Sequence, residues 1–175
     1  MKVRSPLAAG GLAALLIVAS CGGDGNDSAT KVGQVGGVAP TTTAKAPVDA
    51  FSVGDVVKVG DTEVIVHAVQ DPFDAGEQKP AAGSRFVAVD VELKNVSSSP
   101  QVFSSFGQFQ LKDSTGKSYD AAVLRGKPPA VGGPAAAGAS RRGVIAYQVP
   151  EGSQGLQLLC KDRLAGKGDA LIALS

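Results

Sequence analysis

The 175-residue chain carries 17 Lys and Arg against 16 Asp and Glu, a formal charge of +1 that gives nucleic acid no basic surface to follow. With one histidine and two cysteines it lacks the several His and Cys ligands that zinc sites usually gather, and any His-dependent triad would have to run through His67.

Taken in chain order, Lys2 and Arg4 precede the apolar run LAAGGLAALLIVAS, and no acidic residue occurs before residue 21. That is the layout of an export signal over residues 1–20. The apolar run, about 14 residues, is shorter than the roughly 20 a helix needs to cross a bilayer, so cleavage is expected rather than a permanent span. The cut site Val18-Ala19-Ser20-Cys21 resembles the bacterial lipobox. That resemblance implies cleavage between Ser20 and Cys21 and acylation of the Cys21 sulfur. An ordinary secretory site would share the small residues, but only the lipoprotein route uses a cysteine placed directly after them. Two or three acyl tails, each buried methylene contributing about 0.8 kcal/mol, would make a durable membrane anchor facing outside the cytoplasm. Loss of Lys2 and Arg4 takes the formal charge from +1 to −1. With Cys21 bonded to lipid, Cys160 is left as a lone thiol.

Residues 21–50 show no aromatic residue and no helical or alternating pattern, and they read as a flexible tether with a reach of roughly 30 Å. Residues 51–175 form one domain of ordinary size. Its pattern has period two: in SRFVAVDVELKNV, Val87, Val89, Val91 and Leu93 share one face and Asp90, Glu92 and Lys94 the other. Further strands are expected in DVVKV, TEVIVHAV, GQFQLKD, KSYDAAV, GVIAYQV, GLQLLC and DALIAL, with DSTGK as a turn. No segment of the domain predicts an amphipathic helix. About seven short strands point to an all-β antiparallel sandwich, with barrel closure as the alternative. Val89, Val91, Leu111, Ile145 and Tyr147 are expected in its core. The 126–143 segment, rich in Pro, Gly and Ala, is expected to be a long unpacked loop dispensable for folding. It is flanked by Arg125, Lys127, Arg141 and Arg142, a basic rim for partner contact.

The ordered pieces FSVGDVVKVGDTEVIVHAV, FVAVDVELKN, LKDSTGKSY and GVIAYQVPEG resemble a bacterial family of exported lipoproteins built on a domain of unknown function. That family is similar to a mycobacterial immunoprotective secreted antigen. The resemblance covers nearly all of residues 51–175 and implies an immunoglobulin-like β-sandwich. It carries no catalytic or binding residue to transfer. The long 126–140 stretch departs from the family's usual pattern.

The chemistry-bearing residues have simple structural readings. His67 lies mid-strand, and the phase of GLQLLC places Cys160 on the core face with Leu156 and Leu158. Asp71, Asp74 and Glu77 share a loop that offers oxygen ligands to a hard cation, but their spacing misses the EF-hand, so a solvated acidic loop is expected. Phe103, Phe106 and Phe109 are expected in or near the core. No phosphate-binding loop, dinucleotide fingerprint or CxxC occurs, and no cofactor or metal is implied. The expected function is a monomeric, non-catalytic, membrane-anchored module that binds an envelope protein or polymer through loops or a sheet edge. The alternatives are a hydrolase or small-ligand protein using carboxylates such as Asp71, Asp74 and Asp90, and a two-lobed solute-binding protein, which a single small domain disfavours.

Overall fold

The computed structural model describes residues 30–34, 50–125, 129–162 and 168–175. The expected signal, with Ser20 and Cys21, and the loop residue Lys127 lie outside them.

Two sheets face each other. The larger runs in the order β1 (Thr30–Gln34), β3 (Asp55–Val59), β4 (Thr62–Gln70), β5 (Ser84–Asn95), β11 (Ser140–Pro150) and β9 (Ala121–Ala122). The smaller runs β2 (Ala50–Ser52), β13 (Ala170–Ala173), β12 (Gln157–Cys160), β7 (Phe109–Lys112) and β8 (Ser118–Tyr119). A ribbon of β6 (Gln101–Phe103) and β10 (Gly133–Ala135) completes the set. Every pairing is antiparallel except β13 with β2. The expected all-β antiparallel sandwich is therefore the fold.

Alternation places the core. Val57, Val66, Val87, Val89, Val91 and Leu93 from the larger sheet are fully buried, and they meet Phe109, Leu111, Leu158, Cys160 and Ile172 from the smaller one. All five core residues expected from the pattern are buried. Complete burial of one such aliphatic side chain contributes roughly 1.5–3 kcal/mol, so the two inner faces dominate stability. The thirteen strands among the described residues exceed the seven or so expected because KSYDAAV divides into β8 and β9 and because β1, β2, β6 and β10, three to five residues long, are not among the strands the sequence predicts. β1, β6 and β10 lie in stretches rich in Gly, Pro, Ser or polar residues that mask so short an alternation. The one helix among the described residues, α1 (Ser105–Gln108), is a single turn capped by Ser104, whose Oγ accepts from Gly107 N at 3.2 Å.

Two expectations need correction. Thr30–Gln34, read as tether, pairs with β3 as an edge strand. Residues 126–143 were expected to be an unpacked, dispensable loop, yet the described part is built into the sandwich. Val131 is fully buried, Ala135 is 5% exposed, and Gly133, Pro134 and Ala135 pair with Phe103, Val102 and Gln101. The segment crosses β11 so closely that a Cβ at Gly143 would lie 2.5 Å from both Pro129 O and Val131 N. Backbone contact of this kind needs glycine. Composition misled here because prolines sit where no ladder donor is required, and one valine and one alanine supply the burial.

The joint is locked by Asn95, the last residue of β5, whose relative exposure is 0%. Its Nδ2 donates to Ser99 O at 2.8 Å, Ala136 O at 3.1 Å and Ala135 O at 3.2 Å, while its Oδ1 accepts from Ser97 N and Oγ. Its backbone N donates to Ala139 O, and its O accepts from Gly138 N. A buried amide satisfied on both sides fixes the 135–139 backbone to the end of β5.

Candidate functional site: a cavity at one end of the sandwich

The sheets do not close completely at the end where the β3–β4 turn, β6, α1 and the exit of β12 converge. A cavity of about 560 Å³ opens there. Val59, Val64, Phe109 and Cys160, each nearly or fully buried, form its apolar base. Thr62, Gln101, Gln108, Lys161 and the carboxylates Asp61 and Asp162 supply its polar wall. The volume falls within the roughly 300–1,000 Å³ of small-ligand sites, and an apolar base with a few placed polar groups is their usual chemistry.

Local sequence builds each wall. The two-residue turn Gly60-Asp61 closes the β3–β4 hairpin with Gly60 at φ +55°, and a Cβ there would lie 2.8 Å from the Asp162 carboxyl. Glycine thus lets the turn and the β12 exit touch. Gln101 spans the opposite wall, its Nε2 donating to Asp61 O at 3.3 Å and Ser97 Oγ at 3.1 Å. The Gln108 side chain accepts from Ser104 N at 2.7 Å, and its carbonyl accepts from Lys161 N at 2.7 Å. Lys161 Nζ donates to Gln110 Oε1 at 2.7 Å. Each amide is thus held by neighbouring backbone or side-chain groups.

At Val102, which lines the cavity, and on the adjoining helical turn the surface is apolar. Val102 on β6 is 58% exposed and Phe106 on α1 is 56% exposed. Phe103 and Phe109 are core residues as expected, but Phe106 is not, because one helical turn between them swings it outward. Sequence reasoning missed this rim, and the Ser104–Gln108 cap was its only local signal.

The other residues singled out by sequence do not meet at this cavity. His67 is the extra residue where the β4–β5 register slips, and its Nε2 lies 2.9 Å from Glu92 Oε2 on the outer face. Asp90, on the same face, accepts from Arg142 Nε at 3.0 Å and Nη2 at 2.8 Å. These bonds hold the Asp90 carboxyl below its usual range despite partial burial, and raise Arg142 in return. Asp71 is engaged by Arg85 through Nε and, at 2.9 Å, through Nη2. Arg85 also donates to Pro150 O, Glu151 O and Ser153 O, so it clamps the β11–β12 turn. Asp74 accepts from Gly76 N at 2.9 Å as a local turn. Among the described residues no three His, Cys, Asp or Glu side chains gather as metal ligands would.

Cys160 faces the core as its phase predicts, and burial pushes its thiol well above the usual range. Of the expected basic rim, Arg125 is exposed, Arg141 donates to Pro134 O at 3.2 Å, and Arg142 is paired to Asp90. Among the described residues no helix is long and apolar enough to cross a membrane.

Residues 51–170 match the model of a domain of unknown function, DUF4352, and the chain belongs to that family. The uncharacterised Bacillus subtilis protein YxkC is 38% identical over 77 residues, 42% of this chain; the chain spans 43% of that relative's length. The crystal structure of Bacillus subtilis yjhA superposes with a TM-score of 0.55 at 18% identity, covering 71% of this chain and 99% of that one. The crystal structure of Bacillus subtilis ycdA, classed provisionally as a lipoprotein, superposes with a TM-score of 0.53 at 18% identity, covering 66% of this chain and 37% of that one. At such identities the two structures share the fold.

Proposed function

From membership in this family and from the cavity, we propose that the protein is a lipid-anchored, non-catalytic binding module of the cell envelope. It faces outside the cytoplasm and engages its partner through the open end of the sandwich. The observation that carries the reading is the cavity itself: an apolar base, a wall of amides tied to neighbouring backbone and hydroxyl groups, and the exposed Val102 in its lining, with Phe106 exposed on the adjoining helical turn. Such a surface offers shape and apolar contact, with the carboxylates Asp61 and Asp162 in its polar wall. Asp71 and Asp90, two of the carboxylates that the sequence offers for acid–base work, lie away from the cavity and are each engaged by a different arginine. The anchor rests on the LIVASC cut site and Cys21, and the provisional lipoprotein class of ycdA supports it. Arg125 and its basic neighbours add a contact for anionic envelope surface, each exposed charge contributing about 1 kcal/mol.

The test is photo-crosslinking from position 102 in intact membranes, compared with a Phe106→Ser chain of unchanged melting temperature. A discrete adduct that is lost in the Phe106→Ser chain is expected. Equal adducts in both, or none, would remove the cavity end as the binding surface. Membrane fractionation of Cys21→Ser tests the anchor separately: the variant should be released or unprocessed.

A further inference from the structure

β1 is joined to the sandwich in an unusual way. It lies at the end of the larger sheet with β3 as its neighbour, and it falls outside residues 51–170 of the matched domain. Its hold is weak. Thr30 and Lys31 pair with Lys58 and Val57, and Gly33 and Gln34 pair with Val56 and Asp55, so Val32 is an extra, bulged residue. Val32 is 51% exposed, and the nearest atom to a Cβ built at Gly33 is Val56 Cγ2, at an ordinary 3.8 Å. The β3 residues that face the core, Val57 and Val59, are buried between the sheets. Removing β1 would therefore leave the core packing standing and uncover a row of backbone donors and acceptors along β3, a surface that recruits strands.

The chain length around β1 does not tie it to its own sandwich. Residues 35–49 separate β1 from β2. Fifteen extended residues reach up to about 50 Å, well beyond the radius of roughly 14 Å expected for a domain of this size. The same span reaches the β3 edge of an adjacent molecule.

We propose that the outer edge of β3 is a strand-accepting surface, and that its occupant exchanges between the chain's own β1 and the β1 of a second copy of this chain. β1 is the segment whose fit to this edge is visible in the pairing itself, and a second copy brings the identical segment in the identical register. Reciprocal exchange gives a closed two-fold dimer at little cost, since the same bonds form in both states. The competition is set by concentration. A linker of this length gives the chain's own strand an effective concentration of about mM, so dilute copies keep their own β1 and exchange appears as local density approaches that value. Anchoring on a shared membrane provides such density, and in that respect the inference rests on the lipoprotein reading.

The test uses two full-length chains, Gly33→Cys and Val56→Cys, co-expressed in one membrane at several levels and exposed to a mild thiol oxidant. A third chain carries both substitutions. Gly33 and Val56 are register partners, so exchange should yield a 33–56 cross-linked dimer from the mixed chains, in a fraction that rises with expression. The double variant should close within itself at low expression. Two results overturn the inference: closure in the double variant with no mixed dimer at any level, or no 33–56 bond in either experiment. Mapping the joined cysteines keeps the readings apart, because dimers linked through Cys21 would remove the lipid anchor while leaving the strand exchange to be judged on the 33–56 bond alone.

Discussion

Replacing Asn95 by alanine is the sharpest test of how the 129–139 segment is held. The side chain makes five hydrogen bonds from a position of zero exposure, three as donor to the carbonyls of Ser99, Ala135 and Ala136 and two as acceptor from Ser97. Each contributes about 1 kcal/mol net, and a buried carbonyl left without its partner costs about 1–3 kcal/mol more. Water can reach the Ser97 and Ser99 side of the network, so a loss of about 3–5 kcal/mol is expected rather than the full sum. That is a large share of the roughly 5–15 kcal/mol that holds a domain together. Urea unfolding of the wild-type, Asn95→Ala and Asn95→Asp chains measures it. Asn95→Asp should be worse than alanine at neutral pH, because a carboxylate would face three carbonyls. Its deficit should shrink as pH falls, since burial among acceptors raises a carboxyl's folded pKa and favours the protonated donor. A loss below about 1 kcal/mol for Asn95→Ala would refute the assignment of this residue as the joint between β5 and the crossing segment.

Gly143→Ala should destabilise the fold by at least about 2 kcal/mol, because its Cβ would overlap the 129–131 backbone; an unchanged urea midpoint would show that the segment does not cross β11 there. Asp113 accepts from Thr115 Oγ1, Tyr119 Oη, Thr115 N and Lys117 N, and these bonds lower its carboxyl from 3.8 to about 2. The depressed folded value means its stabilisation is complete above pH 4 and is lost as pH falls from about 4 to about 2, so Asp113→Asn should flatten that limb of the acid-unfolding curve. A limb of unchanged steepness would count against it. Cys160, buried with its thiol pKa raised by desolvation, should react with iodoacetamide only after denaturation; rapid labelling of the native chain would place it on the accessible wall of the cavity.

How much was legible follows from pattern length. β5 and β11 run for twelve and eleven residues, enough alternation to assign Val89, Val91, Ile145 and Tyr147 to the core from sequence. Cys160 was placed by its phase with Leu158. Phe86 and Ala88 were not, because they sit on the nominally outer face of β5 and are nevertheless buried. The neighbouring loop returns over that side, with Phe73 N donating to Phe86 O and Gln78 bonded to Val123 O and Arg125 N. The 129–139 segment was missed for a different reason. What holds it is long-range: Asn95, forty residues away from Ala135, and a glycine that matters only because another backbone lies on it. The cavity is likewise a meeting of 59–64, 100–109 and 160–162, and no window of sequence contains those three.

The pieces that carry the family resemblance mark joints of the scaffold. VGD closes turns in which Gly54 and Gly60 take positive φ, and the Asp55 carboxylate accepts from Ser52 N at 3.0 Å. LKDSTGKSY is the turn organised around Asp113, with Tyr119 Oη donating to its carboxylate at 2.7 Å. FVAVDVELKN ends on Asn95, and GVIAYQVPEG ends at the carbonyls of Pro150 and Glu151 that Arg85 grips. Each motif is explained by a backbone that must turn or a strand end that must be tied, without appeal to a substrate. Val102 and Phe106 lie between the motifs, in a stretch held by the β6–β10 pairing, the buried Phe103 and the Ser104 cap. The resemblance therefore identifies the architecture: its motifs are joints of the fold, and the second VGD, Val59 to Asp61, is both a joint and a wall of the cavity.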